Sequence, residues 1–523
     1  MKLPYLSDDC IYYILKYLRD DHSTLFNCLL VNRFWCKETV PFLYANPFEH
    51  LIGSKNNTTH KCSIIFTLIS CFDKAEILRI KNQLNEYNDN INYYINEENE
   101  SLFEYSKYLE NYNCLTINNI IFEWFKNFFN IPSNHEIVAN FIPTFHQSNL
   151  RQSINIKRLD ISFYSFFFNK NNNIRSFDQN LTKLNSLSLR DINEKCNDFT
   201  QEFLESVANI CSNLKRLEIS SLPNNISMKI KENLCKIIQN QNKFNALKIS
   251  RCESFLNNIF LSLEFQKHSL VYIEFVGINF GNIPFKNFIT LYNLKYLSFI
   301  YCGEISSEQC NLLNFATFKL KELTLLTWSN NIALSMIKYL GKSLQKLYFD
   351  GISITITIIE YISTYCLNLN SLKLRIGSGI NYVFPYFKNL RINNLILIIH
   401  NQYFRNNLLA NLFENLAPIN VKEISIYLFY FSDTTLKEIL ENCHHRLEMI
   451  NLNINIDLEK LQIILNYIEK NNNSLKFLGT KKLERVLKDE ETKLLDQIKA
   501  RGVTLLDFYS VYHECSPLIY NSF

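Results

Sequence analysis

One pattern of apolar and polar positions, apolar-x-x-apolar-x-apolar, recurs along the chain from residue 156 onward. Thirteen copies start about 27 residues apart on average. A fixed period between 20 and 50 residues is typical of arrays in which each repeat packs against its neighbours. The pattern therefore predicts a single stacked array over residues 156–480. The copies begin at Ile156, Leu184, Leu214, Phe244, Leu270, Leu294, Leu320, Leu344, Leu369, Ile392, Val421, Leu447 and Leu475.

Each copy fits a β-strand, because successive side chains of a strand point to opposite faces. Leu159 and Ile161 would share a buried face, with Asp160 on the other face. Between copies, apolar residues recur four apart, as at Phe199, Phe203, Val207 and Cys211, which indicates a helix. We therefore expect an α/β fold, a curved solenoid of strand–helix repeats with a parallel sheet on its concave face.

The first 48 residues carry a different pattern. Ser7 is placed to cap a helix whose apolar stripe is Ile11, Ile14, Leu15 and Leu18. Asp20-Asp21-His22 interrupts the stripe, Ser23 or Thr24 would cap a second helix running from Leu25 to Trp35, and residues 40–44 form a third short segment. Three short helices bury little apolar surface, so we expect this unit to rest on a partner or on the next domain.

These residues resemble the F-box of eukaryotic F-box proteins with leucine-rich repeats. The resemblance rests on Leu3-Pro4, the apolar helix positions, Val31-Asn32-Arg33, Trp35 and Asn46-Pro47-Phe48. It implies docking on the Skp adaptor of cullin-RING ubiquitin ligases. The matching docking positions are Leu3, Pro4, Ile14, Leu15, Leu18 and Val31.

This segment departs from the family pattern at one place and leaves two alternatives open. Tyr5-Leu6 stands where many F-boxes have an acidic residue, and Asp8 and Asp9 come slightly later. Trp35 fits either the docking surface or the internal core. The segment could also be a helical cap for the repeat array, since such arrays need atypical ends. Residues 49–155 separate it from the first clear repeat, which favours docking.

Several of the fifteen cysteines lie in register with the repeats. Cys211 and Cys366 precede a copy by three residues, and Cys252 and Cys302 follow a start by eight. This resembles the cysteine-containing class of leucine-rich repeats found in many F-box proteins. An odd count, no CxxC pair and no signal-peptide layout favour buried, reduced thiols in cytoplasm or nucleus. Cys443-His444-His445 lacks a second ligand pair, so we expect neither a metal nor a cofactor.

Composition narrows the function classes. The chain is 47% hydrophobic and 20% charged, as in a packed globular protein, and its net charge of +4 is spread without a dense basic tract. Nucleic acid is therefore not expected as a partner, and no apolar run reaches the roughly 18 residues of a membrane helix. No Gly-rich phosphate loop, GxSxG or HExxH is present, so we expect a non-catalytic adaptor whose partner subunits would transfer ubiquitin.

The residue between the last two apolar positions of each copy would form a column down the concave face. Tyr and Arg side chains often supply much of the binding energy of an interface, so a target would contact this column and the columns beside it. The candidate partner-binding residues are Lys248, Tyr272, Glu274, Tyr296, Tyr348, Asp350, Lys373 and Arg375.

The sequence thus predicts an F-box at 1–48, a helical linker with degenerate first repeats at 49–155, a leucine-rich-repeat solenoid at 156–480 and a C-terminal helix and strand cap at 481–523. The first hypothesis is a substrate-recognition subunit of a Skp-cullin-F-box ubiquitin ligase that holds an unknown target protein. The alternatives are a cullin-independent Skp-binding scaffold and a leucine-rich-repeat binding protein with no ligase role.

Overall fold

The computed structural model divides into two compact units, Met1–Gln266 and Lys267–Phe523. The predicted residues Leu3, Pro4 and Cys443-His444-His445 lie outside the described residues. The described residues are 6–49, 58–84, 101–163, 178–192, 197–281, 283–328, 330–351, 354–376, 382–399, 412, 415–416, 421–428, 434, 436–437, 440, 447–471, 473–481 and 487–510.

The first unit contains parallel strands in chain order, and each pairs with the next without offset. Leu159 is opposite Leu187, and Leu187 is opposite Leu217, so the repeated apolar positions align across the sheet. The strands are β1 (Asn111–Asn113), β2 (Arg158–Ser162), β3 (Ser186–Arg190), β4 (Arg216–Ser220) and β5 (Ala246–Ser250). β1 lies in the stretch predicted to hold a linker and degenerate first repeats.

The second unit continues the same arrangement of parallel neighbours in chain order. Its strands are β6 (Tyr272–Val276), β7 (Tyr296–Ile300), β8 (Glu322–Trp328), β9 (Lys346–Gly351), β10 (Ser371–Ile376), β11 (Asn394–Ile399), β12 (Glu423–Leu428), β13 (Met449–Leu452), β14 (Phe477–Thr480) and β15 (Thr504–Asp507). The predicted α/β class with repeated parallel strands is confirmed.

Helices alternate with many of these strands. In the first unit they are α1 (Asp8–Tyr17), α2 (His22–Leu29), α3 (Arg33–Leu43), α4 (Thr58–Ile69), α5 (Lys74–Leu84), α6 (Cys114–Phe129), α7 (Glu136–Gln152), α8 (Asp178–Leu181), α9 (Asn197–Ile210), α10 (Met228–Gln239) and α11 (Leu256–Leu263). In the second unit they are α12 (Ser307–Leu312), α13 (Asn330–Leu340), α14 (Ile356–Tyr365), α15 (Leu458–Lys470) and α16 (Asp489–Ala500). None of the described helices is long and apolar enough to cross a membrane.

The expectation of a helix in every repeat is wrong between β6 and β7, where the described residues form turns. Pro284 lies in the middle of this short connection and has no backbone N–H to donate to a helix. Aromatic rings pack against the sheet where other repeats have a helix. Phe280 packs on Phe285 and Phe299 with ring centroids 5.6 and 5.7 Å apart.

Buried side-chain amides join successive repeats of the first unit. The Nε2 of Gln241 donates to the carbonyl oxygen of Cys211 at 2.7 Å, and its Oε1 accepts from the N–H of Leu214 at 2.8 Å. Gln266 then donates to the carbonyl of Gln241 at 3.0 Å. These bonds satisfy backbone groups that would otherwise be buried without partners, which stabilises the stacking of one repeat on the next.

The cysteines that are in register with the repeats are buried, as predicted. Cys211, Cys252, Cys302 and Cys366 are at most 6% exposed. The thiol of Cys252 donates to the carbonyl of Ile219 at 3.7 Å, and that of Cys302 donates to Phe275 at 3.4 Å, each in the preceding strand. Burial raises the pKa of the Cys252 thiol to about 12, so this side chain stays a neutral, weakly polar core residue.

A buried histidine links β1 to the helices that follow it. The Nε2 of His146 lies 2.8 Å from Oδ1 of Asn118, and Nδ1 lies 2.8 Å from the hydroxyl of Tyr112. The amide oxygen can only accept, so Nε2 carries a proton. Burial lowers the pKa of His146 to about 3 because it penalises the charged form, so the ring is neutral and the Tyr112 hydroxyl donates to Nδ1.

We expect the free energy of unfolding to fall on acidification because of His146. Its folded-state pKa lies below the unfolded value of about 6.5, so the unfolded chain binds the proton first. The contribution of neutral His146 to the free energy of unfolding is complete above about pH 7 and is lost as the pH falls. The free energy of unfolding therefore drops by about 2 kcal/mol between pH 7 and pH 5 because of this residue. Urea unfolding of the wild type and His146→Gln at both pH values measures it. Equal pH dependence in the two chains would contradict this assignment.

Candidate functional site

The three N-terminal helices form a small core. Ser7, Asp21 and Asn32 cap α1, α2 and α3, with Asp21 Oδ1 accepting from the N–H of Thr24 at 3.0 Å. Asp21 therefore caps the second helix, and the prediction of Ser23 or Thr24 is wrong. The predicted continuous helix from Leu25 to Trp35 is also wrong, because Asn32 begins a new helix. The core is Ile11, Leu15, Leu25 and Cys28, with Leu18, Phe34, Trp35, Phe42 and Leu43 packed around it.

Helix α1 divides the predicted docking residues between two faces. Leu15 is fully buried and Leu18 is half-buried in the core, so neither presents a free apolar face. Ile14 is 38% exposed, and Tyr13 and Tyr17 lie one residue before it and three after it, on the outer side of the helix. Val31 is 59% exposed after the end of α2. The sequence stripe assigned Ile14 to the same face as Ile11 and Leu15, which the structure does not bear out.

Large apolar side chains are exposed over much of this unit. We call them the N-terminal apolar surface, defined as Tyr13, Ile14, Tyr17, Phe26, Leu30 and Val31. Tyr17 and Leu30 are 91% and 75% exposed, although the unit buries few apolar residues of its own. A contiguous apolar patch on a protein surface marks an interaction site more often than single exposed apolar residues do.

The unit is attached to the start of the sheet. The carbonyl of Ala45 accepts from the N–H groups of Glu110 and Asn111 at 2.9 and 3.2 Å, where β1 begins. The Glu110 carboxylate forms an ion pair with Arg19, and the rings of Tyr44 and Tyr105 lie 4.3 Å apart. The contacts use the end of α3 and the segment after α1, so Ile14, Tyr17 and Val31 remain exposed.

A second candidate surface is formed by the strand residues that point away from the aligned leucines. We call it the column face, because its residues align from strand to strand. In the first unit, Asp160 is opposite Ser188, then Glu218, then Lys248. In the second unit the central column runs from Glu274 through Ser298, Thr324, Tyr348, Lys373, Ile396 and Ser425 to Asn451.

The column face of the first unit carries a chain of alternating charges. Arg190 lies between two carboxylates, with its Nε 3.1 Å from Asp160 and its Nη2 3.4 Å from Glu218. Lys248 Nζ lies 3.6 Å from the other oxygen of Glu218. Burial raises the pKa of Asp160 even with Arg190 beside it. Sequence reasoning placed Lys248 here but missed Arg190, which stands one position after the final apolar residue of its copy.

The column face of the second unit is more enclosed than expected. Glu274, Tyr348, Asp350 and Lys373 are each at most 7% exposed, and Tyr272 is 8% exposed. The Tyr272 hydroxyl donates to Glu274, and the Lys373 ammonium lies 4.5 Å from the Tyr348 ring centroid. Neighbouring strands are only about 4.8 Å apart, so long side chains at aligned positions cover one another.

Two of the predicted anchors keep exposed atoms. Arg375 and Tyr296 are half-buried. The Nε of Arg375 lies 2.9 Å from Oδ2 of Asp350 in an ion pair without hydrogen-bond alignment. Burial raises the pKa of Tyr348 to about 12, so its hydroxyl stays protonated beside Arg375. The exposed groups of these two anchors are therefore a guanidinium and a phenol, beside an apolar cluster.

The apolar cluster lies mostly in the third column, one position after the last apolar residue of each copy, and Tyr348 joins it from the central column. Ile300, Leu326, Tyr348 and Ile398 pack together, with Val276 and Tyr427 at the edge. Sequence reasoning named Asp350 and Arg375 in this column but not its apolar residues. The run of Val276, Ile300 and Leu326 at equivalent positions was the available signal. Within the described residues, no group of His, Cys, Asp and Glu could hold a metal ion.

Comparisons with known proteins assign no family. No family model and no curated protein matches the sequence. Among solved structures, the chain is similar to the crystal structure of the Rad7 and Elc1 complex in yeast, with a TM-score of 0.32, 16% identity and coverage of 76% of this chain and 94% of that one. It is also similar to the crystal structure of a protein from Bacteroides fragilis, with a TM-score of 0.28, 14% identity and coverage of 57% of this chain and 74% of that one. At these TM-scores neither similarity bears on function.

We expect Arg190→Met to lower the free energy of unfolding by about 2 kcal/mol, because it leaves Asp160 and the buried Glu218 without their shared cation. The loss is smaller than for a fully buried pair because the Arg190 side chain is 30% exposed. Urea unfolding followed by circular dichroism measures it.

Lys229→Met is the matched control, because its pair with Glu205 is about half exposed on both sides and is expected to contribute less than about 0.5 kcal/mol. Equal effects of the two substitutions would contradict a stabilising role for the charge chain.

Proposed function

We propose that the chain is the substrate-recognition subunit of a Skp-cullin-F-box ubiquitin ligase. The N-terminal apolar surface would dock on the Skp adaptor, and the repeats would hold a target protein. The supporting observation is the exposure of Ile14, Tyr17 and Val31 on a three-helix unit with a small core. The F-box resemblance of residues 1–48 supplies the identity of the partner.

Exposure favours docking over a capping role. A helical cap buries its apolar residues against the array that it closes, and the contacts of this unit with β1 use Ala45, Arg19 and Tyr44. Ile14 and Val31, two of the residues carried over from the family, are not covered by those contacts. Leu15 and Leu18 would shape the surface from inside instead of touching the adaptor.

Catalysis in this proposal is proximity alone. A target held on the repeats has a high effective concentration near a ubiquitin carrier that other subunits hold. The chain needs a docking surface and a target surface for this, with no reacting group of its own. The column face, with Arg375 and Tyr296 accessible, is the proposed target surface.

We expect the full chain to capture a purified Skp adaptor and, through it, a cullin. The double substitution Ile14→Asp and Val31→Asp should weaken adaptor binding at least about tenfold. The reason is that the apolar side chains of Ile14 and Val31 are buried in the proposed complex, and aspartate would place a charge there. Surface plasmon resonance with immobilised adaptor measures the affinity. Met228→Asp, at a residue 63% exposed on α10, is the matched control and should bind normally.

The outcomes separate the alternatives. Adaptor binding without cullin recruitment would favour a cullin-independent scaffold. No adaptor binding by the full, folded chain would reject both F-box functions and leave a leucine-rich-repeat binding protein. Unchanged affinity of the double variant would reject the N-terminal apolar surface as the docking site.

A further inference from the structure

A group of exposed lysines lies at the N-terminal ends of three neighbouring strands of the second unit. The N–H of Lys321 donates to the carbonyl of Lys295 at 2.8 Å, and the N–H of Lys346 donates to that of Lys321 at 2.9 Å. These residues therefore lie on adjacent strands, whose backbones are about 4.8 Å apart. We call the group the lysine edge, defined as Lys295, Lys319, Lys321, Lys342 and Lys346.

The lysine edge carries little compensating negative charge. Residues 291–296, 313–322 and 341–346 contain one acidic residue, the half-buried Glu322. In the part of the chain that the structure describes, the ammonium groups of the four other lysines besides Lys346 form no ion pair. Lys295 and Lys321 are at aligned positions, and like charges opposite each other destabilise a sheet. A bound anion would remove this repulsion.

Later strands of the same unit show how the repeats neutralise lysines at this position. Glu448 lies between Lys422 and Lys476, and the three residues occupy the repeat position of Lys295 and Lys321. The two ammonium nitrogens are 3.1 and 2.7 Å from the Glu448 carboxylate oxygens. Hydrogen bonds from both lysines lower the pKa of Glu448. The lysine edge has the same backbone arrangement without the acidic residue, so its charge is available to a ligand.

Exposed aromatic rings lie beside the lysine edge. The rings of His268 and Tyr292 are stacked, with centroids 4.9 Å apart and planes 11° from parallel. Both residues are exposed, and Tyr292 lies three residues before Lys295. Phe315 is 69% exposed and lies four residues before Lys319. Parallel exposed rings present a flat surface on which another planar group can stack.

The combination of cations and flat rings distinguishes between polyanions. An acidic peptide supplies negative charge but has no regular series of planar groups. Single-stranded nucleic acid supplies both, because its phosphates are evenly spaced and its bases are unpaired. The sequence showed no dense basic tract because Lys295, Lys321 and Lys346 are 25 or 26 residues apart, and stacking of the repeats brings them together.

We propose that the lysine edge and the His268–Tyr292 stack bind single-stranded nucleic acid. Backbone phosphates lie on the ammonium groups, and an unpaired base stacks on the exposed aromatic pair. The contacts are with phosphates and ring faces, so binding does not depend on base sequence. This is a second function beside the proposed ligase role. The experiments below use no adaptor or cullin, so their failure would leave the docking proposal as it stands.

Fluorescence anisotropy with labelled oligouridylate and oligothymidylate of about 12 nucleotides tests the lysine edge, because single-strand sites span about 4 to 16 nucleotides. We expect the full chain to bind both probes in about 50 mM salt, with an affinity that falls steeply as salt rises. Lys295→Ala with Lys321→Ala should weaken binding at least about tenfold and reduce the slope of log affinity against log salt by about 1.4. Binding of only one probe would show that the sugar is also recognised and would overturn the stated mode of binding.

Lys422→Ala with Lys476→Ala is the matched control. It removes the same charge from the same repeat position, but these lysines are already paired with Glu448. We expect its affinity for both probes to stay within about twofold of the wild type, and circular dichroism checks that both double variants are folded. No probe binding by the folded wild type, or equal losses in the two double variants, would overturn the proposal.

Tyr292→Ala separates stacking from charge. It should weaken binding at least about fivefold with an unchanged salt slope, because base stacking on a ring contributes about 1 to 3 kcal/mol and releases no counterion. Tyr292→Phe keeps the ring and should bind as the wild type does. A polyglutamate peptide of equal charge should compete at least about tenfold less well than unlabelled oligouridylate. Equal competition, together with full affinity of Tyr292→Ala, would identify an acidic-peptide surface and reject nucleic acid.

Discussion

Parallel pairing of successive strands, with their apolar positions aligned, is the constraint on which the other features depend. Each strand from β2 to β13 buries two aligned apolar residues, such as Leu217 and Ile219, and a shift of one residue would turn both to the opposite face. The register is therefore fixed by burial. Once it is fixed, every other strand position becomes part of a column, and column neighbours are brought within about 5 Å of one another.

This alignment determines the chemistry of the column face. In the first unit it places Arg190 between Asp160 and Glu218, so charges that are 28 to 30 residues apart in sequence neutralise each other. In the second unit it stacks Lys373 on Tyr348 and pairs Arg375 with Asp350. The charged residues of this face stabilise one another first, and only their uncovered atoms can contact a partner. A target would consequently contact fewer polar groups here than the number of polar residues in the strands suggests.

The two candidate surfaces differ in how their apolar residues are held. The N-terminal apolar surface exposes Tyr17 and Leu30 on a unit whose core is small, so a partner would add stability to the unit that it binds. The apolar cluster of the column face lies on a sheet whose register is already fixed, and Ile300 and Ile398 are nearly covered. A partner at the N-terminal apolar surface would enlarge the small core of the three helices. A partner at the column face would add apolar contacts to a cluster that is already packed.

The repeated apolar pattern by itself determined the strands, their parallel order and the alignment of the central column, because burial of one strand face leaves only one register. The sequence also identified the buried cysteines and the cap at Ser7, but not the caps at Asp21 and Asn32. Only the tertiary structure decided which residues are accessible. Ile14 and Leu15 are adjacent in sequence and differ in exposure, and Tyr348 and Asp350 are covered by side chains from other strands. The contacts of Phe508 with Asn451 and Tyr427 were equally beyond the sequence, since they join residues of two other strands. The exposure of a side chain depends on which residues from other strands and helices pack around it. The periodicity of apolar residues along one strand carries no information about those residues.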